Sequence, residues 1–179
     1  MKYCAFLRGV NVKGTNMKMA DVCQVFKDAG VTDVTSVLAS GNIAFSSDQA
    51  AEQLKQLLEE SMSAYFSYEA FLFIRSADEV GFLKANIPFE TDADFHVYAF
   101  IGAEGLEKIL MDEFRNATQA PGEKAEIVNA VFYWRVPKGN TLDSSFGKVL
   151  GKKNLKDKMT SRNINTFEKI LKKLGYKHQ

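Results

Sequence analysis

Two short polar segments follow apolar, strand-like runs, and their residue types suit the capture of an anion. The first is Arg8-Gly9-Val10-Asn11-Val12-Lys13-Gly14-Thr15-Asn16, placed after Tyr3-Cys4-Ala5-Phe6-Leu7. The second is Ser40-Gly41-Asn42, between the apolar-rich residues 34–38 and 43–45. Glycine lets backbone come close to a ligand, while Arg8, Asn11, Lys13, Asn16, Ser40 and Asn42 carry hydrogen-bond donors. Phosphate, sulfate and carboxylate are the guests such a set fits. The glycine spacing matches neither a P-loop nor a dinucleotide fingerprint. A third run, Thr160-Ser161-Arg162-Asn163-Ile164-Asn165-Thr166, is expected to open the last helix. Arg162 can hold an oxyanion bidentately there, with Asn163 beside it, whereas Asn165 and Glu168 can equally form a capping pair.

Each of these residues has a plainer reading. Arg8 can tie its loop to a carboxylate, and asparagines are common turn residues that tolerate left-handed backbone. With only His96 and His178, a histidine-built metal or base site has no material, so no metal and no cofactor are expected. The residue types leave the question of catalysis open. Cys4 and Cys23 fall at apolar positions, as buried thiols in a reducing cytoplasm do. No apolar run approaches the length of about eighteen residues that spans a membrane.

The formal net charge of the 179 residues is +1, but it is unevenly spread. Residues 1–19 carry four basic and no acidic side chains. Residues 148–179 carry ten basic against Asp157 and Glu168, a balance of +8, which leaves −11 for residues 20–147. Basic ends on an acidic body form a local positive patch that the total conceals.

The elements that position the polar runs follow from periodicity. Residues 3–7 read as a strand, and Met19, Val22, Cys23 and Phe26 as the stripe of a helix that Gly30 ends. Residues 34–38 and 42–46 read as strands around a turn. Ser47 or Asp48 can cap a helix striped by Ala51, Leu54, Leu57, Leu58, Met62 and Tyr65. Residues 68–74 complete a βαββαβ order. Ser76-Ala77-Asp78-Glu79 is a capping-box signature for a short helix that Asn86-Ile87-Pro88 stops. The pattern then restarts: a strand at 95–101, a helix striped by Leu106, Ile109, Leu110 and Phe114, strands at 125–128 and 131–136, and a helix striped by Leu142, Phe146, Val149 and Leu150. A basic linker and a helix striped by Ile164, Phe167, Ile170, Leu171 and Leu174 stand where a fourth strand was due.

The expected fold is therefore α+β. A ferredoxin-like βαββαβ subdomain spans residues 1–75, with a connecting helix and loop at 76–93. A related but incomplete βαββα subdomain with the C-terminal helix spans 94–179. In the first subdomain, the loop after strand one and the turn between strands two and three share one end of the sheet. That topology brings Arg8, Asn11, Lys13 and Asn16 beside Ser40 and Asn42.

Phe6-Leu7-Arg8-Gly9-Val10-Asn11-Val12, then Ser40-Gly41-Asn42-Ile43-Ala44-Phe45, resemble a widespread uncharacterised bacterial family. Its motifs read L-L-R-G-I-N-V-G-G, S-G-N-V-x-F and T-x-R-N-W-N-T, and residues 160–166 match the third. Lys13 stands where the family usually has Gly, and Ile164 where it usually has Trp. The resemblance implies a compact α+β fold of two related subdomains and transfers no catalytic residue.

Three partners remain in play. A phosphate-bearing small molecule or nucleotide suits the donor set best. Nucleic acid is the second reading, because βαββαβ is also the order of RNA-recognition domains and the basic C-terminal segment could meet phosphates. The third is a protein-interaction module without a ligand.

Overall fold

A computed structural model describes residues 1–10, 17–155 and 157–176. Its first seven elements are β1 (Lys2–Leu7), α1 (Met19–Asp28), β2 (Thr32–Ser36), β3 (Asn42–Ser46), α2 (Ala51–Phe66), β4 (Leu72–Ser76) and α3 (Ala77–Ala85). The strands form one antiparallel sheet in the order β2-β3-β1-β4, the ferredoxin-like arrangement. Tyr3, Ala5 and Leu7 of β1 pack with Val22 and Phe26 of α1 and with Leu54, Leu58 and Met62 of α2. The stripe of α2 continues from Met62 to half-buried Phe66, whereas Tyr65 is 57% exposed. The capping box forms as its sequence predicts: Ser76 N donates to Glu79 Oε2 (2.7 Å) and Glu79 N donates to Ser76 Oγ (3.2 Å). Ser47 does not cap α2; its hydroxyl accepts from Gln49 N instead.

The second set is β5 (Phe95–Gly102), α4 (Leu106–Asn116), β6 (Lys124–Val128), β7 (Val131–Pro137), α5 (Ser145–Val149), β8 (Met159–Asn163) and α6 (Asn165–Leu174). Its sheet order is β6-β7-β5-β8, the same arrangement again. Two expectations change here. The second subdomain is complete, because β8 supplies the strand that the sequence reading left out. Met-Thr-Ser-Arg-Asn carries almost no apolar β signal, and only its pairing to β5 makes it a strand. Likewise Ile109 and Leu142, expected in buried stripes, are exposed. The core of this unit is aromatic, with Phe100, Phe114, Phe132 and Trp134 gathered around Phe146. The Trp134 indole donates to buried Glu123 (2.9 Å), whose other oxygen accepts from Ala120 N (2.7 Å).

By packing, the chain forms two units: Met1–Phe82 together with the helix from Phe167 onward, and Leu83–Thr166. The sequence reading placed the last helix with the second subdomain. In the first unit, however, Phe167 sets its ring edge-on to Phe6, on the side of β1 opposite Tyr3, Ala5 and Leu7. Lys2 Nζ also donates to Leu174 O (2.7 Å), a cation at the helix's negative end. Each βαββαβ run is followed by a helix, and each has an arginine in the fourth position of its last strand. Arg75 Nη1 donates to Ile74 O and Arg162 Nη1 to Ser161 O, both at 2.8 Å.

Two tyrosines carry a test of this packing. Burial, with Glu59 adding to it, pushes the Tyr68 hydroxyl up to about 12, and burial pushes Tyr133 up to about 12. The folded chain thus holds both protons more tightly than the unfolded chain, where tyrosine titrates near 10. Their stabilisation is complete below about pH 10 and falls as pH rises toward 12. Tyr133 also donates to Leu83 O (2.8 Å), whereas the buried Tyr68 hydroxyl has no partner among the described residues. Tyr133→Phe is expected to cost about 1 kcal/mol at neutral pH and Tyr68→Phe almost nothing. Both variants should flatten the alkaline loss, which denaturant melts at neutral and alkaline pH would measure.

Candidate functional site

The end of β1 and the β2–β3 turn meet through backbone. Leu7 N donates to Gly41 O (2.8 Å), and Val37 N donates to Asn42 O (2.8 Å) to close the turn. On the other flank, Arg8 N donates to Phe71 O (3.0 Å). Gly41 is what allows this approach. Its φ is +76°, and a Cβ there would lie 2.6 Å from Val10 Cγ2 and 3.1 Å from Leu7 Cβ. Asn42 is fully buried, and its Nδ2 donates to Val37 O (3.0 Å) and Ser40 Oγ (2.9 Å). Both amide hydrogens therefore lock the turn and orient Ser40, which is exposed. Arg8 is half-buried at the strand end. Asn11, Lys13 and Asn16 lie outside the described residues.

Arg162 and Asn163 belong to the second unit, and residues 160–163 are strand rather than helix start. Arg162 is buried, with Nη1 donating to Thr160 Oγ1 (2.7 Å) as well as to Ser161 O. Asn163 Oδ1 accepts from Asn165 N (3.0 Å) at the opening of α6. That bond fixes the amide's orientation, so Nδ2 faces His96 Nδ1 at hydrogen-bond distance (3.2 Å).

Sequence reasoning passed over side chains that the structure commits most heavily. Lys55 and Glu59 of α2 pair with each other and bond the backbone of β4, a role hinted at only by their i, i+4 spacing. Burial holds the pKa of Arg75 below the usual arginine value, and Glu79 opposes that shift. The aromatic residues that could stack bases, Tyr3, Phe6 and Phe45, are all buried. No group of three or more His, Cys, Asp or Glu side chains among the described residues is placed to hold a metal. No helix among them is long and apolar enough to cross a membrane.

A family model described as a protein of unknown function, DUF1697, matches residues 1–133. The chain belongs to the DUF1697 family. The matched span contains both loops built on Arg8 and Gly41. No curated protein matches the chain. Among solved structures, the conserved bacterial protein SP0830 from Streptococcus pneumoniae is similar, with a TM-score of 0.76 and 24% identity over 97% of this chain and 98% of that one. At that identity the likeness shows a shared fold for this DUF1697 chain.

Gly41→Ala tests the loop geometry. It combines left-handed strain with displacement of Val10, so a loss of about 1–3 kcal/mol is expected in denaturant melts. Gly30 has a φ of +91° but nothing within 4 Å, so Gly30→Ala should show only the smaller backbone cost, about 1 kcal/mol.

Proposed function

We propose that this protein binds a phosphate-bearing small molecule or nucleotide where the loop after β1 meets the β2–β3 turn. The observation that supports this reading is the Leu7 N to Gly41 O bond, because it draws the residues around Arg8 and Ser40 to one end of one sheet. Arg8, Asn11, Lys13 and Asn16 act as donors to the anion, and Ser40 adds a hydroxyl. Asn42 holds the turn rather than touching the ligand. The amino end of α1, which has no side-chain cap among the described residues, adds the positive end of a helix dipole. Arg162 and Asn163 form hydrogen bonds within the second unit, and neither is assigned a direct contact with the ligand. The reading is one of binding and assigns no reaction.

Thermal-shift measurements with inorganic phosphate, sugar phosphates and nucleotides test it, since a ligand of the native state raises its melting point. At least one phosphate compound should raise it, and Arg8→Ala should abolish that rise when read against the variant's own melting point without ligand. No shift with any of these compounds, or an equal shift in Arg8→Ala, overturns the proposal.

A further inference from the structure

Each sheet ends in two outer strands whose outward backbone groups need partners. On β4, the bond from Arg8 N to Phe71 O sets the phase, so residues 72, 74 and 76 face outward. There Leu72 N donates to Glu59 (3.0 Å), Leu72 O accepts from Lys55 Nζ (2.9 Å), Ile74 O accepts from Arg75, and Ser76 N donates to Glu79. On β8, Ser161 O accepts from Arg162. The β2 edge is broken by Asp33 at a φ of +53° and a register shift between Thr32 and Thr35.

The β6 edge has none of these devices. Its two-residue turn, Asn129-Ala130, has φ values of +49° and +62° and closes on the Val128–Val131 pair. Bonds to β7 therefore run through Val128, Glu126 and Lys124, and the N–H and C=O groups of Ala125 and Ile127 point away from the sheet. Among the described residues these groups have no partner. The charges of the strand are unmet as well. Lys124 lies opposite the like charge of Arg135, and neither Lys124 nor Glu126 makes an ion pair among the described residues.

The geometry points to antiparallel pairing of β6 with β6 of a second copy of this chain, about a two-fold axis at Ala125. In that register the outward groups of Ala125 bond their own counterparts, and Lys124 of each copy faces Glu126 of the other. Ala125 packs on the aromatic core beneath α4, so residues 123, 125 and 127 share the α4 side of the sheet. Ile127 of the second copy then falls beside Glu123, at a cleft of 440 Å³ lined by Phe114, Arg115, Gln119, Glu123 and Ala125 together with the pairing residues Lys124 and Glu126. Ile127 is 38% exposed and supplies an apolar side chain to enter it. Moving the axis to Ile127 would set Glu126 against Val128 and leave Lys124 without an acid.

Sedimentation equilibrium over a concentration series tests the pairing. The parent chain should dimerise reversibly. Lys124→Glu and Glu126→Lys should each weaken association about tenfold or more, because either change turns two attractions into two repulsions. The double variant Lys124→Glu/Glu126→Lys should recover most of the parent affinity. Ala125→Pro, which removes an outward N–H and no bond to β7, should give a monomer; the exposed charge reversals carry the test if that variant fails to fold. A parent chain that stays monomeric at about millimolar concentration, where even a weak pairing of this kind would register, overturns the inference. So does a dimer indifferent to either reversal, or a double variant that stays as weak as the singles.

Discussion

The central strand β1 is shut off from water on both of its faces, and the rest of the first unit is arranged around that fact. Cys4, Ala5 and Phe6 have no exposed surface. The Tyr3, Ala5 and Leu7 face meets α1 and α2, and the Phe6 face meets Phe167 of α6. In the second unit β5 is similarly enclosed at Val97, Ala99, Phe100 and Ile101. A central strand buried on both faces leaves no room for a ligand against it, and its aromatic residues are core rather than stacking platforms. Polar chemistry is left with the strand ends, and strand partners with the edges. The Arg8 and Gly41 loops occupy one such end, and the open side of β6 is one such edge.

Local signals were legible in the sequence, and signals of partner choice were not. The Ser76 to Glu79 capping box and the Ser40-Gly41-Asn42 turn formed as read, because each depends on residues within three positions of one another. The βαββαβ order was legible for the same reason. By contrast, β8 owes its conformation to β5, and nothing in Met159–Asn163 alone announces it. The stripe of α6 correctly says that Phe167, Ile170, Leu171 and Leu174 are buried, but periodicity cannot say against which sheet. Tyr65, Ile109 and Leu142 keep the helical period and are exposed, since a stripe is buried only as far as something covers it.

The candidate polar residues divide by what the backbone asks of them first. A donor next to an unpaired carbonyl serves that carbonyl before any ligand, because an orphaned buried group costs about 1–3 kcal/mol. Asn42 serves Val37 O and Arg162 serves Ser161 O, demands that residue type alone does not reveal. Ser40, exposed at the tip of its turn, is under less demand of this kind. A sequence reading sees the donor; only the fold shows the acceptor that claims it.

The same logic explains why β6 is charged as it is. An edge strand without caps invites any extended chain, and alternating charge is the usual defence. Lys124 and Glu126 on one side of a short strand do more than repel. Parallel in-register pairing would set Lys124 against Lys124 and Glu126 against Glu126, and a shifted antiparallel register leaves one charge without its opposite. The two-fold antiparallel arrangement about Ala125 satisfies both. A pattern that excludes most pairings therefore favours one, and selects a second copy of this chain over an arbitrary strand.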